Sequence, residues 1–143
     1  MIDRFQVQGK SSFVILHQNV SAAIDSLVIC KFTNMGVADE YFARVLGAVT
    51  GIHYDTGELT RVGERVWNLE RLYNIREGFS KADDTLPPRL LNEAPTSGPS
   101  EGWVVQLEPM LKEYYRGRGW DENGVPKPEK LTELSLSGLM KRM

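Results

Sequence analysis

One cysteine, Cys30, and two histidines, His17 and His53, are the only thiol and imidazole groups in this chain. A single thiol excludes an internal disulfide and fits a reducing compartment. The histidines stand far apart, with no cysteine, histidine or carboxylate at zinc spacing around them. No apolar run approaches the roughly 18 residues that a membrane span needs. The first ten residues, MIDRFQVQGK, lack the apolar core of a signal peptide. A cytoplasmic location with no membrane association is the expectation. Excess charge of one sign is lacking too: 17 Lys and Arg are interspersed with 19 Asp and Glu, for a net charge of −2. That leaves no electrostatic footprint for nucleic acid or an anionic membrane. Phosphate loops, nucleophile elbows, repeats and low-complexity blocks are absent as well.

What is present is the raw material of a core. The chain has 143 residues, 41% hydrophobic and 25% charged, which is the size and balance of one globular domain. Phe13, Leu16, Val20, Ala23, Ile24 and Leu27 recur at spacings of three and four, predicting a helix that starts at Ser11 or Ser12 and stops near Cys30. A second helix is predicted over residues 38–50, with Asp39 and Glu40 in its first turn, Gly51 as its stop, and Tyr41, Val45 and Val49 beside Phe42 and Leu46 as its buried face. The third and strongest runs over residues 58–77, capped by Asp55 or Thr56. Its stripe is Leu59, Val62, Val66, Leu69 and Tyr73, widened by Trp67 and Leu72, with Arg61, Arg65 and Arg71 assigned to the solvated side. Gly63 within it predicts close approach of another helix.

Residues 79–102 change character, with Pro, Gly and Ser concentrated in an internal loop that carries at most a turn at 88–91 and an exposed tip at 95–102. Beyond it, WVVQL has strand composition, residues 108–116 read as a helix burying Met110, Leu111 and Tyr114, and residues 128–136 as a last short one. A frayed tail is expected at 141–143, and an extended arm at 1–9. The fold class is therefore mostly α, a single helical domain over 1–143 with at most one short strand pair.

Candidate chemistry is sparse. Asp83 and Asp84 read as a turn cap answering nearby arginines rather than a metal pair, and Asp121–Gly124 as a turn lacking the further oxygens of a calcium loop. Lys112, Arg116 and Arg118 read as a small solvated basic cluster. Asp25, alone in an uncharged run, and Cys30 flank the expected end of the first helix, where both could face one bound object.

Several stretches together resemble the C-terminal region of the tungsten-dependent aldehyde:ferredoxin oxidoreductase family. They are Gln18-Asn19, the run Ala23 to Cys30, GERVWNLERLYNIREGF, DDTLPPR, LKEYYRGRGWDENGVP and PEKLTEL, in the family's order and over most of the chain. The resemblance implies a helical domain from the last quarter of an enzyme that oxidises aldehydes to carboxylic acids, with ferredoxin as electron acceptor. That family uses tungsten, sometimes molybdenum, held by two pterins (a molybdopterin-type cofactor) beside a 4Fe-4S cluster. Its pattern Asp-x-x-Gly-Leu-Cys falls on Asp25, Val28, Ile29 and Cys30. By that match Asp25 and Ile29 belong to the pterin-binding segment and Cys30 is the fourth cluster ligand; Val28 stands in place of the usual glycine and adds a Cβ beside the cofactor. No catalytic residue is carried over. Upstream domains and ferredoxin are the implied partners, homo-oligomers are compatible, and the isolated chain is expected to be inactive and free of cofactor. A wall at Leu27, Val28 and Ile29 is expected to be exposed and prone to self-association. The alternative reading is a stand-alone helical binding or scaffold module that has lost cofactor work.

Overall fold

A computed structural model describes residues 3–140, and the tail expectation at 141–143 lies outside the described residues. The helices are α1 (Lys10–Ser26), α2 (Asp39–Thr50), α3 (Thr56–Arg76), α4 (Pro88–Asn92), α5 (Leu107–Arg118), α6 (Pro128–Glu133) and α7 (Ser137–Met140), with 3-10 turns at Lys31–Met35 and Lys81–Asp83. Among the described residues the one isolated β-bridge joins Trp120 to Pro126. WVVQL enters no ladder; Val105 N–H donates to the Leu90 carbonyl at 3.0 Å and Trp103 stacks on Phe5 at 4.6 Å.

The two long helices α1 and α3 form the centre, with α5 laid against α1 and α2 against α3. Gly63 makes the crossing possible. A Cβ there would lie 1.7 Å from the Asn19 carbonyl oxygen of α1, so the backbones meet where the sequence places a glycine. Val20, Ala23 and Ile24 of α1, Phe42 and Ala43 of α2, and Leu59 of α3 form one core cluster. Leu72 with Leu131, Leu134 and Leu136 forms a second, under the C-terminal turn.

Caps explain the helix limits. Asp55 caps α3 with a capping box, accepting from Glu58 N–H at 2.7 Å while Glu58 accepts from Asp55 N–H at 2.9 Å. Helix α1 starts at Lys10, one residue before the expected serines, behind the N-cap Gly9, whose N–H donates to the Glu113 carboxylate on α5 at 3.0 Å. The Ser12 hydroxyl turns back onto the Gly9 carbonyl at 3.1 Å instead of capping. Helix α6 stops at Glu133, short of the expected 136, because Ser135 takes a left-handed φ of 58°. Arg61 and Arg65 of α3 donate to the freed Glu133 and Leu134 carbonyls. Lys130 bridges Glu64 at 3.0 Å and Glu133 at 2.9 Å; partial burial works against its charge, yet the two carboxylates outweigh that and raise its pKa.

Several stripe assignments shift by part of a turn. Helix α2 buries Phe42 and Ala43, whereas Tyr41, Val45 and Val49 are exposed, the last at 81%. In α1 Phe13 and Leu16 are half exposed, and in α3 Leu69 and Tyr73 are too. The buried positions of α3 are Leu59, Gly63, Asn68, Arg71 and Leu72, a face that mixes polar and apolar groups.

The polar members of that face meet Arg118, which is 0% exposed rather than solvated. Its Nε donates to Tyr114 Oη at 3.0 Å, and its terminal nitrogens to Asn19 Oδ1 at 2.6 Å and Gln18 Oε1 at 2.7 Å. The guanidinium lies over Trp67 and Tyr114, each with its ring centroid 5.4 Å away. Beside it, the Trp120 indole N–H donates to Asn68 Oδ1 at 2.8 Å. This polar seam holds α5 to α1. Arg118→Met roughly keeps the volume but removes a donor from three acceptors, of which only Gln18 Oε1 keeps another in Tyr114 Oη, and is expected to cost about 3 kcal/mol of stability. Denaturant unfolding of the variant chain measures it, with exposed Arg116→Met as the control that should change little.

Candidate functional site

The C-terminal end of α1 and the turn after it hold the residues singled out by sequence. Leu27 closes the helix, its N–H donating to the Ile24 carbonyl, and Val28 N–H donates to the Asp25 carbonyl, both at 3.0 Å. Val28 then takes φ 58°, the left-handed region. Helices commonly end on such a residue, and it is usually glycine because a Cβ is strained there. The backbone returns to φ −59°, ψ 122° at Cys30, which leads into the 3-10 turn and accepts from Thr33 N–H at 3.0 Å. The Cβ of Val28 therefore matters for the turn itself.

The turn sorts its side chains. Leu27 and Ile29 pack against the first core cluster, so they form less of an exposed wall than expected. Val28 points outward at 93% exposure, and the exposed apolar groups flanking Cys30 are Val28, Phe32 and Met35. Asp25 and Cys30 are both exposed, on either side of the left-handed residue. Lys31 Nζ stands 4.0 Å from Asp25 Oδ2. Among the described residues no three His, Cys, Asp or Glu side chains gather as a metal site; Cys30 offers one thiol and Asp25 one carboxylate to anything bound at the turn. Val28→Gly removes strain of about 1–2 kcal/mol while costing roughly 0.5–1 kcal/mol in chain entropy. With almost no packing to lose, the variant is expected to be more stable by about 1 kcal/mol, read as a raised unfolding midpoint.

A second concentration of chemistry lies where α1, α3 and α5 diverge. The sequence puts Arg71 on the solvated side of α3, yet it is buried, because its guanidinium is the partner of Asp84. Its terminal nitrogens donate to Asp84 at 2.9 and 2.6 Å, and its Nε donates to the Gly124 carbonyl at 2.8 Å. Tyr115 Oη donates to Asp84 at 2.5 Å. Burial, then the hydrogen bond and charge of Asp84, push the Tyr115 phenol above its ordinary range, so it stays protonated. Asp83 instead accepts from Ser80 N–H at 2.8 Å and caps the 3-10 turn. These groups line a cavity of about 520 Å³ whose other walls include Val14, Trp67, Met110, Leu111, Tyr114 and Trp120.

The remaining candidates are structural. Asp121 Oδ1 accepts from the N–H groups of Asn123 and Val125, both at 2.9 Å, which makes residues 121–124 a turn. His17 is exposed, and His53 is exposed with its Nδ1 4.0 Å from Glu58 Oε2. Like Arg71, Arg118 is missed by the sequence reading, although a signal exists: Leu111, Tyr114, Tyr115 and Arg118 recur at helical spacing, which puts the arginine on the buried face of α5.

Comparison with known proteins gives the family of the chain. The family model described as "Aldehyde ferredoxin oxidoreductase, domains 2 & 3" matches residues 1–136. A tungsten-containing aldehyde ferredoxin oxidoreductase of Pyrococcus horikoshii is 42% identical over 132 residues, 92% of this chain and 22% of its own length. The enzyme of the same name from Thermococcus kodakarensis is 41% identical over 90% of this chain and 21% of its own. An aliphatic sulfonate oxidoreductase, WOR-like subunit, of Pyrococcus furiosus is 33% identical over 82% and 20%. Among solved structures, the active site complex BamBC of benzoyl coenzyme A reductase, in complex with 1,5-dienoyl-CoA, superposes with a TM-score of 0.77. It shares 22% identity and covers 99% of this chain and 21% of its own. That likeness shows the helical fold alone. The chain spans about a fifth of the length of each of these relatives.

Proposed function

The chain belongs to the aldehyde ferredoxin oxidoreductase family, and from that membership we propose that it is the C-terminal portion of a pterin and iron–sulfur oxidoreductase that converts aldehydes to carboxylic acids with ferredoxin as acceptor. The observation that carries this reading is the turn after α1, which leaves Asp25 and Cys30 exposed while Ile29 is anchored in the core. An exposed thiol on an ordered turn suits one iron of a 4Fe-4S cluster, and an exposed carboxylate suits the amine and ring N–H groups of a pterin. Ile29 contributes by fixing the loop and presenting its backbone. Cys30 is one thiolate of the four a cluster needs, so the other three belong to polypeptide outside this chain, as do most of the contacts to a tungsten or molybdenum bis-pterin. When bound, these groups supply the two-electron oxidation of an aldehyde with water to acid plus two protons, and pass electrons singly to ferredoxin.

The exposed faces agree with a chain that is covered elsewhere. Tyr41, Val45, Val49 and Ile52 are exposed on and just after α2, and Phe32 and Met35 beside Cys30. Upstream domains of the same enzyme would bury them, and a chain on its own would use them to self-associate. A stand-alone helical binding or scaffold module, the second reading, has the same exposed α2 face in its favour.

The test is assembly of this chain with the upstream four-fifths of the enzyme, followed by assay of tungsten, pterin and iron per assembly and of aldehyde-dependent ferredoxin reduction. Asp25→Asn is expected to lower pterin retention several-fold while iron stays unchanged, since the amide loses the charge-assisted hydrogen bonds. Equal pterin content in both proteins would remove Asp25 from the site. An assembly without iron, tungsten or activity would favour the scaffold reading.

A further inference from the structure

The cavity beside Arg71 and Asp84 does not end blindly. Its residues Gln18, Trp67 and Glu70 also line a second depression of about 380 Å³ that reaches Asp25, Ser26 and Lys31. Along α1 the shared wall is one helix face, with Val14, Gln18, Ala22 and Asp25 at spacings of four, four and three. A single furrow therefore runs between α1 and α3 from an aromatic end to the turn that carries Cys30.

The buried polar groups of the aromatic end are already engaged. Arg71 and Tyr115 are bound to Asp84. The Trp67 indole N–H donates to the Gln18 carbonyl and Tyr114 Oη to Gln18 Oε1, both at 2.8 Å. The Trp120 indole N–H is held by Asn68. No buried side-chain nitrogen or oxygen among the described residues lacks a partner. Inside the rim of Lys10, Ser11, Glu70 and Asn74, what this end offers a ligand is ring and hydrocarbon surface from Trp67, Tyr114, Trp120, Val14, Met110 and Leu111. The charged groups on the lining besides Arg71 and Asp84 are Lys10, whose Nζ donates to the Arg4 carbonyl, and the exposed Glu70 and Asp83, so an ionic guest gains only charges in contact with water, whereas an apolar one gains by burial. The volume is that of a small-molecule site.

We infer that the aromatic end of this furrow binds a neutral small molecule with an aromatic or branched hydrocarbon body, its polar end directed along the furrow toward Asp25. In the intact enzyme this occupant is the hydrocarbon part of the carbonyl substrate, an assignment that rests on the oxidoreductase reading; the binding itself does not.

The test uses the 143-residue chain and two probes of similar size, benzyl alcohol and benzoate, followed through the indole N–H resonances. Benzyl alcohol is expected to shift Trp67 and Trp120 saturably and leave Trp103, stacked on Phe5, unmoved. Benzoate should bind about tenfold more weakly or worse. Val14→Phe, which fills the furrow from a partly exposed position on α1, should weaken benzyl alcohol by a similar factor; Met110→Phe fills it from α5 should the first variant fold poorly. Absence of a saturable shift, equal binding of benzoate, or binding indifferent to both variants would overturn the site. In the assembled enzyme, Val14→Phe should raise KM for benzaldehyde and spare acetaldehyde. Equal effects on the two would overturn the substrate assignment, while an assembly inactive on any aldehyde would overturn the oxidoreductase reading and leave the probe result standing.

Discussion

If Cys30 is a cluster ligand as proposed, its replacement by alanine is expected to cost the assembled enzyme a 4Fe-4S cluster or leave a converted form with less iron, and to stop ferredoxin reduction even where tungsten remains. The thiol is exposed, so as a packing group it contributes almost nothing, and the change should shift stability by less than about 0.5 kcal/mol. A ligand role and a filler role therefore predict opposite readings of the same assay. Iron per assembly falls in the first case and stays constant in the second. Because the chain holds a single cysteine, no neighbouring thiol of its own can substitute. Unchanged iron in the variant would end the assignment of Cys30 to the cluster.

Gly63→Ala is expected to be the most damaging small substitution in the fold. On an exposed helix the change would stabilise by about 1 kcal/mol through propensity. Here the new Cβ would lie 1.7 Å from the Asn19 oxygen and 2.5 Å from the Asn19 carbonyl carbon, both backbone atoms of α1. Neither can rotate away. The helices must separate, which loosens the contact of Val20, Ala23 and Ile24 with Leu59 and pulls Asn19 from Arg118. Overpacking and the lost hydrogen bond together outweigh propensity, for a net loss of about 3 kcal/mol or more. For a chain of this length that is roughly 10 °C in Tm. A Gly63→Ala chain with an unchanged melting temperature would show that the crossing is not as close as described.

Periodicity carried the helices themselves, because 3.6-residue spacing survives whatever packs on it: α2, α3 and α5 lie close to where the spacing puts them. It failed on which apolar residues are inside. In α2 the stripe Tyr41, Val45, Val49 and the stripe Phe42, Leu46 are neighbours on one cylinder, and only tertiary contact with Leu59 and Ile24 selects the second. A stripe that is apolar and yet exposed reads the same as a core stripe when its covering surface belongs to other polypeptide. The arginines failed for a different reason. Charge reads as a sign of solvent, but a guanidinium with amide, hydroxyl and ring partners is stable inside, and the amide partners lie about a hundred residues away for Arg118. For the candidate site the sequence offers residues, Asp25, Ile29 and Cys30, but not the geometry of the turn that carries them. The left-handed residue at Val28 is invisible in a valine, which propensity reads as extended.

The clamp between the two ends of the chain also bears on what a cut in the middle would do. Gln18 and Asn19 hold Arg118, Gln18 holds Tyr114, and Gly9 holds Glu113. All four bonds bypass the exposed Pro/Gly/Ser stretch at 95–102. A protease that nicks that stretch severs a tether and no buried contact, so the two fragments stay associated. They separate only in denaturant, and a gel would then report two pieces where the native protein still sediments as one. The same stretch is where an affinity tag or a fluorescent reporter could be inserted at little cost to the fold.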